Sequence, residues 1–354
     1  MKRSALRDVR TAAALGLAGV LAASCSLGGA SGGDTQAGKA VTLVTHDSWA
    51  APQEVLDAFE KQSGIKITVL KQGDAGALTN KLVLTKANPI GDVAYGVDST
   101  FASRALTEGV FESYTSPEAD RGPQRYSIDP EHRLSAVDLG DVCVNVDTGY
   151  FATKGLAAPA SYDDLADPKY KDLTVVESPA TSSPGLAFLL GTVAKYGEQG
   201  WQGYWTKLKA NGVKTVSGWE EAYTKDFSGS SGKGTKPIVV SYASSPAAEI
   251  GDDGKPRTKA IASTCYRQVE YAGVLAGGKQ AENARKVVDF LLSQQFQVTV
   301  PSNMYVYPAR QGVELPAGWA AAAPLPPQPA SLAADKVQAG REQWIGQWRS
   351  LLEG

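Results

Sequence analysis

Two stretches decide how this chain is folded: Ala136-Val137-Asp138-Leu139-Gly140-Asp141-Val142-Cys143-Val144-Asn145-Val146, and Ile261-Ala262-Ser263-Thr264-Cys265-Tyr266-Arg267-Gln268-Val269-Glu270-Tyr271-Ala272-Gly273-Val274-Leu275. Each is a long extended run, and each holds one cysteine. Between them lies a block with its own signals: strands at 173–176, 213–216 and 237–242, and helices at 184–195, 201–210 and 219–227. Ahead of the first run, short β-branched strands at 41–45, 65–70 and 92–97 alternate with helical patterns at 52–61, 78–86 and 100–106. Pro52 suits the start of the first helix and Gly64 its stop. Such alternation argues for an α/β fold with parallel strands. Helices follow the second run at 280–292 and 336–352. The two cysteine-bearing runs therefore read as crossings between two lobes. Lobe one takes 40–140 plus 270–354, and lobe two, 141–269, is inserted into it. An inserted lobe on two connecting strands is a hinge design with a cleft between the lobes.

Composition narrows the class. The 354 residues carry 35 Lys and Arg against 37 Asp and Glu, a formal net charge of −2, so no basic excess points to nucleic acid. The start of the chain explains some of the positive charge. Lys2, Arg3, Arg7 and Arg10 precede a short apolar run, 11–23, too short to span a membrane comfortably. A positive flank, a short apolar core and small residues at its end make 1–24 a secretory signal. Leu21-Ala22-Ala23-Ser24-Cys25 resembles the lipobox of bacterial lipoproteins, with the branched residue four places before the cysteine where three is usual. That resemblance implies a lipid on Cys25 and a body held at the outer face of the cytoplasmic membrane. Residues 25–39, rich in Gly, Ser and Ala, read as a flexible tether. An exported chain meets oxidising conditions, so Cys143 and Cys265 invite a disulfide; two buried free thiols are the alternative. Two histidines and no clustered cysteines argue against a dedicated metal site.

Ligands of open α/β sheets sit beyond the carboxyl ends of strands. The segments to inspect are therefore His46-Asp47-Ser48-Trp49, Gln72-Gly73-Asp74-Ala75-Gly76, Asp98-Ser99, Thr181-Ser182-Ser183-Pro184-Gly185, Ser217-Gly218-Trp219 and Ser241-Tyr242-Ala243-Ser244-Ser245-Pro246. Each also has a plainer role: Ser183 as a helix cap, Asp74 as turn chemistry, Trp219 as core, His46 as a structural imidazole. Gly232-Lys233 lacks the Ser or Thr that a phosphate-binding loop requires after the lysine, and 228–234 reads as a surface loop. No catalytic motif stands out: there is no G-x-S-x-G elbow and no H-E-x-x-H.

At these segments the chain resembles the bacterial thiamine-binding proteins of ABC importers. The resemblance rests on Val44-Thr45-His46-Asp47-Ser48-Trp49, the run from Gly91 to Asp98, Thr181 to Leu186, Gly218 to Tyr223 and Val240 to Pro246, and covers about residues 40–310. It implies a two-lobed, periplasmic-binding-protein-like fold, each lobe a mixed sheet flanked by helices, acting as a monomer with no cofactor. It implies thiamine or a thiamine phosphate as ligand and an ABC permease as partner. Asp74 and Ala75 fall where the family's loop touches ligand, with Ala75 in place of a usual glycine. Ser182 and Ser183 match the pair at the lobe-two helix start, Trp219 a tryptophan that packs on the ligand ring, and Tyr242, Ala243, Ser244 and Ser245 the strand-end lining. His46 stands where some members have tyrosine, and Ala248 where some have another stacking tyrosine. In this reading Trp219 and Tyr242 stack, Asp74 balances the charge of the thiazolium, and the serines hydrogen-bond. Two alternatives remain: a binder of ferric iron or an oxyanion, and an exported enzyme acting on a thiamine-like ring.

Overall fold

β-Branched residues that read as strands form one half of a six-stranded mixed sheet. The computed structural model describes residues 39–230 and 233–354; the signal segment, the tether and Cys25 lie outside the described residues. Strands β1 (Lys39–Thr45), β2 (Ile65–Lys71) and β3 (Val93–Asp98) run parallel. Helix Gln53–Ser63 joins the first two and ends at Gly64, whose φ of 71° and N–H to Glu60 O make a left-handed cap. Strands β4 (Ser135–Leu139), β10 (Val269–Val274) and β11 (Tyr307–Pro308) complete the sheet in the order β11-β4-β10-β3-β1-β2, with β10 antiparallel to both its neighbours.

The second sheet, order β7-β6-β8-β5-β9, comes from the middle of the chain: β5 (Val142–Asp147), β6 (Thr174–Glu177), β7 (Lys214–Val216), β8 (Ile238–Tyr242) and β9 (Thr258–Ala260). Here β6, β7 and β8 are parallel, and β5 is antiparallel to β8 and β9. Both sheets are thus mixed, with helices on their faces.

The two extended runs connect the sheets, but neither is continuous. The first breaks at Gly140-Asp141 into β4 and β5, one in each sheet. A side chain at Gly140 has no room, because its Cβ would lie 2.8 Å from the Tyr242 ring. The second run makes a 3₁₀ turn at Ala262–Thr264 before entering β10. The crossings pair with each other through Val142 N–H to Tyr266 O at 2.9 Å and Tyr266 N–H to Val142 O at 2.8 Å. A Cys143–Cys265 disulfide covalently joins them, and Arg267 pairs with Asp141 beside it.

Helix Ser183–Ala210 spans both helices expected between 184 and 210; Gly197, at φ 71° and ψ 173°, supplies the break between them. Trp201, Trp205 and Phe188 from this helix are buried in the second lobe's core. The C-terminal helix Ala334–Leu352 joins that core: Trp348 meets Trp205 edge-on at 5.5 Å, with Trp344 and Ile345 alongside. Of the segment 270–354, this last helix therefore buries its apolar stripe in the second lobe's core. The loop 228–234 is likewise anchored where it is described, with Ser230 buried and its hydroxyl donated to Phe227 O at 3.3 Å. Among the described residues no helix is long and apolar enough to cross a membrane.

Candidate functional site

The carboxyl ends of β1, β2 and β3 face those of β6, β7 and β8 across a cleft of about 210 Å³. His46, Ser48, Asp74 and Ala75 line it from the first lobe, and Trp219, Tyr242, Ser245 and Ala248 from the second.

The second lobe brings an aromatic group. Trp219 precedes a π-helical turn, Glu220–Asp226, and its ring stacks on Tyr223 with centroids 4.9 Å apart and planes 13° apart. Its indole N–H donates to Ser241 Oγ at 2.8 Å, which fixes the ring's edge. Tyr242 stands 6.1 Å from the Trp219 ring at 52°. Ser245 Oγ bonds Ser241 Oγ at 2.8 Å and accepts the Tyr242 N–H at 3.1 Å, holding the strand end in shape. The half-buried Trp219 and Tyr242 thus offer aromatic surface to the cleft.

Asp74, which lines the cleft, also serves the backbone around it. It caps helix Ala75–Leu84, accepting Ala75 N–H at 2.6 Å. Its other oxygen accepts the backbone N–H of Trp219 at 2.8 Å, and Ser183 N–H approaches at 3.4 Å. Burial pushes the Asp74 carboxyl up, against the pull of the Trp219 and Ala75 N–H groups. The carboxylate is thus spent on backbone of both lobes. Ala77 N–H to Thr181 O at 3.0 Å and Ser48 Oγ to Glu220 Oε1 at 3.0 Å bridge the same rim.

The remaining serines are buried, and the hydroxyls of Ser183 and Ser244 have no hydrogen-bond partner among the described residues. Ser182 caps helix Ser183–Ala210 and Ser183 is buried at its first turn. Ala243 is buried against the disulfide and Ser244 is buried beside it, so neither lines the cleft. The cleft also contains Glu220, Tyr223, Glu270, Asn303, Met304, Tyr305 and Val306, which the search of strand ends misses. Among the described residues, no group of three His, Cys, Asp or Glu side chains is arranged to hold a metal ion.

Two mixed sheets flank a cleft lined by aromatic rings and carboxylates, an arrangement suited to holding a small solute. The profile described as "Bacterial extracellular solute-binding protein" matches residues 88–330, and the chain belongs to this family, whose members bind solutes and are not enzymes. Its sequence is 31% identical over 321 residues to a thiamine-binding periplasmic protein of Salmonella typhimurium, covering 87% of this chain and 92% of that one. The match to the thiamine-binding periplasmic protein of Escherichia coli has the same identity and coverage. A solved structure titled a periplasmic thiamin binding protein superposes with a TM-score of 0.79 at 28% identity, over 88% of this chain and 96% of that chain. An iron-bound protein from Pseudomonas aeruginosa shares the fold, with a TM-score of 0.70 at 19% identity over 88% of this chain and 99% of that chain.

Proposed function

We propose that this protein is the thiamine receptor of an ABC importer, tethered outside the cytoplasmic membrane by a lipid on Cys25. One observation carries the reading: the cleft opposes the stacked pair Trp219–Tyr223, with Tyr242 beside it, to the buried carboxylate of Glu270. Thiamine is a flat aminopyrimidine joined to a permanently charged thiazolium. Aromatic faces and an anionic group within one small cleft suit a flat cation, and a cation over an aromatic ring gains about 0.5–2 kcal/mol. The relatives named thiamine-binding support the same ligand.

Two lobes flanking a cleft suit delivery to a permease. Closing the lobes around ligand presents one composite surface to a permease, and the tether holds that surface near the membrane. Calorimetric titration of the purified mature protein with thiamine tests the ligand, and mass spectrometry of the mature N-terminus tests the acylation of Cys25. An unmodified cysteine, or cleavage elsewhere, removes the anchor from this account.

A further inference from the structure

The floor of the cleft carries a row of acids. Glu270 on β10 pairs in register with Asp98 on β3 and with Asp138 on β4, so three carboxyl groups stand side by side across the first sheet. All three are buried. They are not equivalent. Asp98 Oδ1 accepts Thr100 N–H at 2.7 Å, Thr100 Oγ at 2.6 Å and Phe101 N–H at 3.1 Å, so it serves the turn after β3. Asp138 accepts the Tyr95 hydroxyl, and burial together with the neighbouring Glu270 pushes its carboxyl well above the usual range. Glu270 is the member that reaches the cleft. There it meets the Tyr95 hydroxyl at 3.1 Å and the His46 imidazole at 3.5 Å.

We propose that Glu270, and not Asp74, is the counter-ion for the ligand's fixed positive charge, and that His46 holds this carboxylate until the ligand takes it, so that binding expels a proton from His46. The inference rests on the thiamine reading and assigns the charge-reading residue within that site. Asp74 suits the role less well, because its oxygens already accept the Ala75 and Trp219 N–H groups, whereas Glu270 accepts no backbone N–H among the described residues. Glu270 and His46 both line the cleft, and their contact is the pairing that an incoming cation competes with. Gly96 makes the arrangement possible: it has φ 99°, and a Cβ there would lie 2.3 Å from His46 Cδ2.

The surroundings of His46 fix the sign. Glu270 from β10, Tyr95 from β3, Asp74 from the helix cap and Lys71 from β2 face it, and Tyr242 reaches toward Glu270 from the second lobe. Burial lowers the imidazole's affinity for a proton; Glu270, helped by Asp74 and opposed by Lys71, outweighs this and leaves it raised. A ligand cation on Glu270 removes the main attraction and adds a repulsion. Both changes drive the proton off. Affinity therefore rises with pH while His46 is protonated in the free receptor and levels off once it is neutral, with a limiting slope of about tenfold per pH unit for one proton.

Thiamine titrations of the mature protein in two buffers of different ionisation enthalpy, from about pH 6 to about pH 8, test this. The unaltered protein should release about one proton at the acid end and gain affinity as pH rises. His46→Asn should bind with no proton release and a flat profile. Glu270→Gln should lose about thirtyfold or more in affinity and lose the pH dependence with it. Asp98→Asn should keep the proton release, which separates His46 from Asp98, whose carboxyl burial pushes up to about 7. PH-independent binding without proton release in the unaltered protein overturns the inference, as does full affinity in a folded Glu270→Gln. If Glu270→Gln does not fold, the unaltered protein and His46→Asn decide. Absence of thiamine binding to the unaltered protein at every pH defeats the functional reading itself, a different result from pH-independent binding.

Discussion

The carboxylate of Asp74 accepts the backbone N–H of Trp219 at 2.8 Å, joining a helix cap of the first lobe to the start of the π-helical turn in the second. The bond makes closure of the cleft and placement of the Trp219 ring one event. Asp74→Asn keeps one acceptor oxygen and turns the other position into a donor facing backbone N–H groups. A buried hydrogen bond to a charged group contributes about 1.5–3 kcal/mol, so thiamine affinity should fall about 10- to 100-fold. Calorimetry reads the loss, and small-angle scattering should show a more open mean shape; unchanged affinity would separate the latch from binding.

Trp219→Ala removes a stacking face from the ligand. With about 0.5–2 kcal/mol for a cation on an aromatic ring, affinity should drop about three- to thirtyfold. Trp219→Phe keeps a ring but loses the N–H to Ser241, and should fall between the two. Titrations normalised to folded protein by circular dichroism check both.

Gly140→Ala tests the hinge. The new methyl would lie 2.8 Å from the Tyr242 ring, and overpacking of this kind costs about 1–3 kcal/mol. A lowered denaturant midpoint together with weaker thiamine binding is expected, because the ring that must move lines the cleft.

Reduction of the Cys143–Cys265 bridge, or its replacement by two serines, releases a link 122 residues apart in sequence. The chain-entropy argument gives about 5 kcal/mol for a loop this long, and bridges typically contribute about 2–4 kcal/mol, so a loss in this range is expected. Urea unfolding with and without reductant measures it.

Asp98 gives a pH signature in stability. Burial raises its folded-state pKa to about 7 from 3.8, so the folded protein holds this proton where the unfolded chain has lost it. That contribution is full at pH values below the unfolded value and is lost as pH rises toward about 7. Asp98→Asn keeps the acceptor for Thr100 and Phe101 and removes the titration. The variant's melting temperature, relative to the unaltered protein, should therefore rise between about pH 4 and about pH 7.

Much of the frame is legible in the sequence, because β1 to β3 and their helices follow simple patterns ended by residues such as Gly64. The break at Gly140 is not, since one run that reads as extended throughout serves two sheets and only the approach of Tyr242 shows why a glycine is needed. Trp344 and Trp348 announce a buried helix face, but which core receives it depends on the path of the chain before residue 334. The site divides in the same way. Asp74, Trp219 and Tyr242 follow parallel strands, where a search of carboxyl ends looks. Glu270 stands at the start of β10 and Tyr305 just before β11, and the beginnings of both strands lie at that same edge. A search that reads the start of each antiparallel strand together with the end of each parallel one would have found them.

Titration of thiamine into the purified, mature protein, followed by calorimetry at neutral pH, tests the central claim most directly. The account predicts saturable one-to-one binding at micromolar ligand or below, weakened in Trp219→Ala and Glu270→Gln. No heat with thiamine or its phosphates, from protein shown to be folded, would contradict it.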